Sequence, residues 1–286
     1  MAGRGEAPRR RRVAVVLAAG SGTRMRSELP KVLHPAAGRP LLAWVLDAAR
    51  GAGCDGIVVV VGHGAERVRE ETAAPDVRFA LQAEQLGTGH ALAQAAPLVA
   101  AGGAATLLVL SGDVPLIRPA TLAALADAAE APGTWGALAA VELPEPGALG
   151  RVVSAADGAF ERIVEARDAS PEELANQTAN AGLYAFPAPE VFALLGRVGS
   201  DNAQGELYLT DAPGLAAADG HRVAVVTLAD ASEGWGVNTP DELVRVDRAL
   251  VARRAEEAGR SGVTDAPGRP SRRHAGATIG GEDRGG

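Results

Sequence analysis

The chain has 286 residues, 47% hydrophobic and 22% charged, which are the length and composition of one large globular domain or two small ones. Its formal net charge of −7 argues against nucleic-acid binding through bulk positive charge. With Cys54 as its single cysteine, the chain has no internal disulfide and no cysteine-rich zinc site, and we expect a cytoplasmic protein.

The N-terminal segment combines a basic run with a short apolar stretch. Residues 1–12, which contain Pro-Arg-Arg-Arg-Arg, predict a disordered basic tail. Residues 13–19 have the length of a short secretory-signal core, but Gly-Ser-Gly-Thr-Arg follows them instead of more helix. We therefore interpret them as a buried first strand. No segment approaches the roughly 20 apolar residues of a membrane span, and we expect no membrane association.

Short apolar runs alternate with Ala- and Leu-rich segments of helical length along the chain. Unalternated apolar strands separated by helices are typical of a mostly parallel sheet that is covered on both faces. The sequence therefore predicts a Rossmann-like α/β fold. The predicted strands are 13–19, 57–61, 77–81, 106–110, 136–141, 181–186 and 222–228, and the predicted helices are 41–50, 66–72, 88–100 and 119–129.

Two later segments have different patterns. Residues 151–166 carry Asp157-Gly158 between two β-prone arms, which indicates a β-hairpin inserted as a flap. Pro240 begins a final helix, predicted over 240–258, with acidic residues in its first turn. Residues 259–286 are rich in Gly, Arg and Pro without periodicity, and we expect a disordered tail.

Lys31 is the only lysine among the 28 basic Lys and Arg residues. A bias towards arginine explains the other 27 but leaves this exception, which is either an accident of composition or a site where a thin ammonium stem is needed. The Gly-rich turn at 20–23 follows the first strand, and such turns let backbone N–H groups approach a phosphate. Arg24 and Lys31 are cations that suit the same ligand.

Two further motifs follow predicted strands. Gln82 precedes a turn at Gly87-Thr88, which suits either recognition of a base edge or an ordinary loop with a threonine helix cap. Asp113 follows the strand 106–110, where a carboxylate suits a divalent cation or a helix cap. We interpret His90, in the predicted helix that follows this turn, as a surface or packed histidine.

Together these motifs resemble the sugar-1-phosphate nucleotidyltransferases. The order LAAGSGTRM…PKVLHP, QAEQLGTGHA, GDVPL, GRVV, IVEARDA, NAG, NAQGELYLTD and GVN is similar to one branch of that family over about residues 13–258. This branch is the uridyltransferase, or pyrophosphorylase, domain of the bifunctional N-acetylglucosamine-1-phosphate uridyltransferase/glucosamine-1-phosphate acetyltransferases. The resemblance implies a nucleotide-diphospho-sugar transferase fold, with the nucleotidyltransferase domain at 13–239 and a linker helix at 240–258.

The resemblance also implies roles for the matching positions. Catalytic roles fall to Arg24, Lys31 and Asp113, and Asp113 and Asn238 would hold Mg²⁺. The implied nucleotide-binding residues are Leu17, Ala18, Ala19, Gly20, Gln82, Gly87, Thr88, Ser111 and Gly112, and the implied sugar-binding residues are Gly150, Glu165 and Asn180.

The activity implied by the resemblance is uridylyl transfer from UTP to N-acetylglucosamine-1-phosphate, giving UDP-N-acetylglucosamine for cell-envelope precursors such as peptidoglycan. Two alternatives stay open: another acceptor such as glucose-1-phosphate, or a non-catalytic nucleotide-binding remnant. Because no hexapeptide repeat array follows the last helix, we expect no β-helix acetyltransferase domain, no use of coenzyme A, and a monomer or weak oligomer.

Overall fold

A nine-stranded mixed sheet is the centre of the computed structural model, which describes residues 10–260. The strands are β1 (Arg12–Ala18), β2 (Pro35–Ala36), β3 (Arg39–Pro40), β4 (Gly56–Val61), β5 (Val77–Leu81), β6 (Ala105–Ser111), β7 (Thr134–Glu142), β8 (Arg151–Ser154), β9 (Phe160–Val164), β10 (Thr178–Ala188) and β11 (Arg222–Thr227). The helices are α1 (Leu41–Gly51), α2 (Ala65–Thr72), α3 (Thr88–Gln94), α4 (Ala96–Ala100), α5 (Pro119–Glu130), α6 (Pro171–Leu174), α7 (Glu190–Leu195), α8 (Asp211–Ala218) and α9 (Pro240–Arg260), and short 3-10 helices span Thr23–Met25, Lys31–Leu33 and Ala231–Gly234.

The strand order across the large sheet is β11-β7-β10-β6-β1-β4-β5. Neighbours pair in parallel except at β10, which runs antiparallel to both β6 and β7. β2 and β3 form a separate two-stranded ribbon. The mostly parallel sheet predicted from the apolar runs is therefore confirmed.

Successive residues of β1 belong to two different clusters of buried side chains. Val13 and Val15 lie in one cluster, while Ala14 and Val16 lie in the other. Side chains of a strand alternate between the faces of a sheet, so both faces of β1 are covered. This explains why the strand shows no polar alternation, and it confirms that helices lie on both sides of the sheet.

Two elements differ from the predicted bounds. The helix predicted over 88–100 is two helices, α3 and α4, which are separated at Ala95. Pro97 lies in the first turn of α4, where its missing N–H is tolerated, whereas it would break a continuous helix. Strand β10 is longer than the predicted 181–186 because β7 pairs with residues 178–180 and β6 with residues 187–188. An irregularity between Asn180 and Tyr184 interrupts its register with β7.

The predicted hairpin is present as β8 and β9. It is attached to the large sheet where Arg151 of β8 pairs with Ala179 of β10. Phe160 and Ile163 are 8% and 5% exposed, so the inner face of the hairpin is packed against the core. The hairpin is therefore held at the edge of the sheet close to the start of β10.

Strand β1 begins inside the segment 1–12 that was predicted to be a tail. Arg12 is 6% exposed, and its guanidinium donates to the carboxylates of Asp127 and Glu130 on α5. An arginine run suggests a solvated tail, but two carboxylates neutralise this arginine in the core. Residues 1–9 lie outside the described residues, so the tail there stays a prediction.

Helix α9 extends two residues past the predicted end at 258. The chain divides into two compact units after Val251, and the described part of the second unit, 252–260, is helical. The tail predicted after it lies outside the described residues from 261 onwards. In the range 10–260, no helix combines the length and the apolar character that crossing a membrane requires.

Candidate active site

The carboxyl ends of the parallel strands bring the predicted nucleotide and metal residues to one edge of the sheet. Strands β1, β5 and β6 end just before Ala19, Gln82 and Gly112. Ligands of open α/β sheets bind at this edge because the loops that leave the strands converge there. Asn238 reaches the same cluster from the loop that precedes α9.

The turn after β1 requires glycine at one position. Gly22 has a φ of +61°, and a Cβ added to it would lie 2.7 Å from the Cβ of Lys31. Any side chain there would be strained and would displace the lysine. The close approach of this turn to Lys31 therefore depends on Gly22.

Lys31 joins two other candidate residues through its ammonium group. Its Nζ donates to a carboxylate oxygen of Asp113 and, at 3.0 Å, to the amide oxygen of Asn238. The side chains of Lys31 and Asp113 are only 16% and 15% exposed, so the ion pair is largely shielded from water. Arg24 donates to the same Asn238 oxygen at 3.0 Å from a more exposed position. The structure thus gathers two cations and two oxygen acceptors at one point.

The oxygens of Asp113 and Asn238 fit a hard divalent cation. One ammonium nitrogen contacts both oxygens, so a single cation can touch the two residues. Within the described range, no group of three or more His, Cys, Asp or Glu side chains is placed to hold a metal. One carboxylate and one amide suit Mg²⁺, which commonly keeps water molecules and takes substrate phosphates as its remaining ligands.

A cavity of about 430 Å³ contains most of the candidate nucleotide site. Its volume lies in the range of small-molecule sites. Of the predicted residues, Gly112 does not line it, but its N–H donates to the carbonyl of Leu17 at 2.9 Å and so fixes the end of β6 against β1. The predicted residues that line the cavity are Leu17, Ala18, Ala19, Gly20, Arg24, Lys31, Gln82, Gly87, Thr88, Ser111, Asp113 and Asn238.

Four side chains in this cavity were missed at the level of the sequence: Val32, Gln85, Ala91 and Glu206. Gln85 donates its amide N–H to the carbonyl of Ala19 at 2.8 Å and so ties the loop after β5 to the glycine-rich turn. Its place in the motif QAEQLGTGHA was the available signal. Glu206 lies in the motif NAQGELYLTD, but nothing in that motif shows that this distant segment reaches the cavity.

The turn at residues 86–89 packs against the backbone of residues 207–209. Gly87 has a φ of +110°, and an added Cβ would lie 2.5 Å from the carbonyl oxygen of Leu207. The N–H of Gly89 donates to that oxygen at 2.8 Å, and the N–H of Leu209 donates to the Thr88 hydroxyl at 3.0 Å. The two most distinctive motifs of the sequence, QAEQLGTGHA and NAQGELYLTD, therefore contact each other and shape one wall of the site.

The predicted sugar residues form a second group near the start of β10 and do not line the nucleotide cavity. The N–H of Asn180 donates to the carbonyl of Gly150 at 2.8 Å, and a Cβ on Gly150 would lie 3.5 Å from a carboxylate oxygen of Glu165. Burial raises the pKa of Glu165, although the Thr210 hydroxyl donates to its carboxylate at 2.9 Å. Glu165 lines a separate cavity of about 350 Å³. The amide of Asn180 is committed to the Tyr184 hydroxyl at 2.7 Å.

Known proteins are similar to this chain in sequence and in fold. A sequence profile of the MobA-like NTP transferase domain matches residues 14–183. The chain is 48% identical to Bifunctional protein GlmU of Burkholderia pseudomallei (strain K96243) and 49% identical to the protein of that name from Burkholderia thailandensis, over 250 residues in each case. These matches cover 87% of this chain and 54% of each relative, so the chain spans about half the length of the curated relatives it matches.

A solved structure supports the fold alone. The crystal structure of a UDP-glucose pyrophosphorylase complexed with UDP-glucose superposes with a TM-score of 0.69 at 20% sequence identity. The superposition covers 85% of this chain and 99% of that one.

Proposed function

The chain belongs to the family of MobA-like NTP transferase domains, and on this basis we propose that it transfers a uridylyl group from UTP to N-acetylglucosamine-1-phosphate. The observation that carries the proposal is the cluster of Lys31, Arg24, Asp113 and Asn238 at the carboxyl edge of the sheet. Its two cations suit phosphate oxygens, and its two oxygens suit a divalent metal. The resemblance of the whole motif set to the uridyltransferases supports uracil as the base and the N-acetylated sugar as the acceptor.

In the proposed reaction, an oxygen of the sugar phosphate attacks the α-phosphorus of UTP. The bond from that phosphorus to the oxygen bridging the β-phosphate breaks, and pyrophosphate leaves with the bonding electron pair. The nucleophile is already an anion, so no general base is needed. The task of the protein is to hold two polyanions in line and to stabilise the charge on the transferring group.

Lys31 and Arg24 would supply the positive charge for this step. In the structure both donate to Asn238, and Lys31 also donates to Asp113. To contact a phosphate, the Lys31 ammonium would exchange these oxygens for phosphate oxygens. Asp113 and Asn238 would then hold Mg²⁺, which supplies charge neutralisation for the phosphates.

The remaining candidate residues would position the two substrates. The glycine-rich turn at 20–23 would offer backbone N–H groups to the triphosphate, and Gln82 with Gly87 would contact the base. The resemblance assigns Glu165 and Asn180 to the sugar, and Glu165 lines the separate cavity of about 350 Å³ that could receive it.

Pyrophosphate release tests the proposal when each of the four NTPs is combined with several sugar-1-phosphates, with and without Mg²⁺. We expect the highest turnover with UTP and N-acetylglucosamine-1-phosphate, and only when Mg²⁺ is present. Equal or faster turnover with glucose-1-phosphate would show that the acceptor is wrongly assigned. No release with any pair, from a protein that still binds UTP, would indicate a non-catalytic nucleotide-binding module.

A further inference from the structure

His90 lies between two glutamine amides beside the nucleotide cavity. The amide nitrogen of Gln82 is 3.1 Å from Nδ1 of the His90 ring, and the amide nitrogen of Gln94 is 3.0 Å from Nε2. The Gln82 nitrogen also donates to the carbonyl of Gly87 at 3.1 Å. Gln82 is only 4% exposed, so these contacts are shielded from competing water.

The contacts of the Gln82 side chain fix which end of its amide points where. A backbone carbonyl can only accept, so the amide nitrogen of Gln82 must face Gly87. Its second N–H then points at Nδ1 of His90, which must accept, and the ring proton therefore sits on Nε2. A neutral imidazole has one acceptor, so only one of the two amides can keep its nitrogen towards the ring. Gln94 is the one that turns, because its contact to the His90 carbonyl, at 3.3 Å, is longer than the 3.1 Å contact of Gln82 to Gly87. The Gln94 oxygen then accepts a hydrogen bond from the Nε2 proton.

The fixed amide leaves Gln82 with a single free group. Both of its N–H groups are used, and its oxygen has no partner among residues 10–260. Gln82 lines the nucleotide cavity, where this oxygen can accept from a ligand. A ligand therefore needs an N–H at this point. Uracil has one at N3, whereas cytosine has an unprotonated nitrogen acceptor at the same ring position.

We propose that His90 is a positioning residue for base selection: with the Gly87 carbonyl, it holds the Gln82 amide so that only its oxygen faces the base. The proposal rests on the proposed function in taking the nucleotide to lie in this cavity. Cytosine in the orientation of uracil would set its N3 lone pair against the Gln82 oxygen, and pairing with N3 would require the Gln82 amide to turn over. That turn would set its oxygen against the Gly87 carbonyl and break the hydrogen bond to His90.

The test compares three substitutions of His90. His90→Asn places an oxygen acceptor near the position of Nδ1 and retains the hydrogen bond to Gln82. His90→Gln places its amide near the position of Nε2 and loses the hydrogen bond to Gln82. His90→Leu loses that hydrogen bond too. The first two variants are both amides, so they separate this hydrogen bond from general effects of polarity and folding.

Two readouts are needed for each protein: kcat and KM with UTP and with CTP, and calorimetric affinity for the two nucleotides without acceptor. We expect the wild type to prefer UTP at least about a hundredfold. In His90→Leu and His90→Gln the preference for UTP should fall about tenfold, which is the usual effect of losing one hydrogen bond. The change should appear in KM and in the binding affinity, while kcat for UTP stays within about twofold of the wild type. His90→Asn should retain the preference within about twofold.

An unchanged preference in His90→Gln and His90→Leu would overturn the proposal, and so would a loss in His90→Asn equal to theirs. If His90→Leu fails to fold, the two amide variants decide alone. The binding arm keeps this test separate from the proposed reaction, because it measures base preference even when no sugar-1-phosphate reacts. Equal affinity of the wild type for UTP and CTP would also overturn it.

Discussion

Replacing Lys31 by arginine keeps the charge at the centre of the site and changes only its shape. In the structure one ammonium nitrogen serves both Asp113 and Asn238, and the Cβ of Lys31 lies beneath the turn at Gly22. The guanidinium of Arg24 already contacts the Asn238 oxygen at 3.0 Å. A second planar guanidinium would have to fit in the space of the narrower lysine side chain, beside the guanidinium of Arg24.

The expected cost follows from the contacts that the larger group cannot make. A hydrogen bond to a charged group contributes about 1.5–3 kcal/mol, which corresponds to about a ten- to hundredfold lower kcat/KM if the contact forms mainly in the transition state. Stability should change little, because Asp113 keeps a cationic neighbour. A loss below about 1 kcal/mol would shift Tm by no more than about 4 °C for a domain of this size.

Steady-state pyrophosphate release and thermal unfolding measure the two quantities. Arg67→Lys is a matched control, since it exchanges the same two residue types on exposed helix α2, where Arg67 pairs with Glu71 at 3.0 Å. It should leave both kcat/KM and Tm unchanged. If Lys31→Arg also retains wild-type kcat/KM, the single lysine is an accident of composition and the argument from shape is refuted.

Three further substitutions test other parts of the site. Asp113→Asn should lower kcat at least about a hundredfold, and it should lower Tm as well, because Lys31 loses its anionic partner in a shielded position. Glu165→Gln should have a higher Tm than the wild type, and the difference should grow as pH rises above about 4. Burial raises the pKa of Glu165, so the wild type loses stability when this carboxylate ionises, whereas glutamine stays neutral and still accepts from Thr210. Gly87→Ala should cost about 1–3 kcal/mol in urea unfolding, since φ is +110° and the new Cβ would lie 2.5 Å from a carbonyl oxygen.

Each of these expectations has a clear contrary result. Wild-type turnover of Asp113→Asn at saturating Mg²⁺ would remove Asp113 from the proposed metal site. A Tm difference for Glu165→Gln that shrinks with rising pH would contradict the effect of burial on the carboxylate. An unchanged urea midpoint for Gly87→Ala would mean that the turn relaxes without strain.

The sequence predicted the buried parallel strands well because their signal is local. In β1 and β4, continuous apolar runs rich in valine indicate burial on both faces without reference to any other part of the chain. The full length of β10 was not predictable in this way. Its residues form a strand beyond 181–186 because β7 pairs with residues 178–180 and β6 pairs with residues 187–188.

In the candidate site, too, local features were predictable from the sequence and contacts between distant residues were not. Arg24 and Lys31 stand out in the sequence because they follow a glycine-rich turn, and Asp113 because it follows an apolar strand. That Lys31 donates to both Asp113 and Asn238 was not predictable from the sequence, since these contacts join residues 82 and 207 positions apart. The same holds for Glu206 in the cavity wall.

The long separation between Lys31 and Asn238 has a consequence for the newly made protein. A ribosome adding about 5–20 residues per second completes the 207 positions between them in about 10–40 s. The glycine-rich turn exists on the nascent chain throughout that interval and Asp113 joins it 82 positions after Lys31, while Asn238 is added only at its end. Until then the nascent chain lacks one of the two oxygens that the Lys31 ammonium contacts, and the cluster can assemble only after every strand of the large sheet has been synthesised. The complete cluster of Lys31, Asp113 and Asn238 can therefore exist only on chains whose synthesis has passed residue 238.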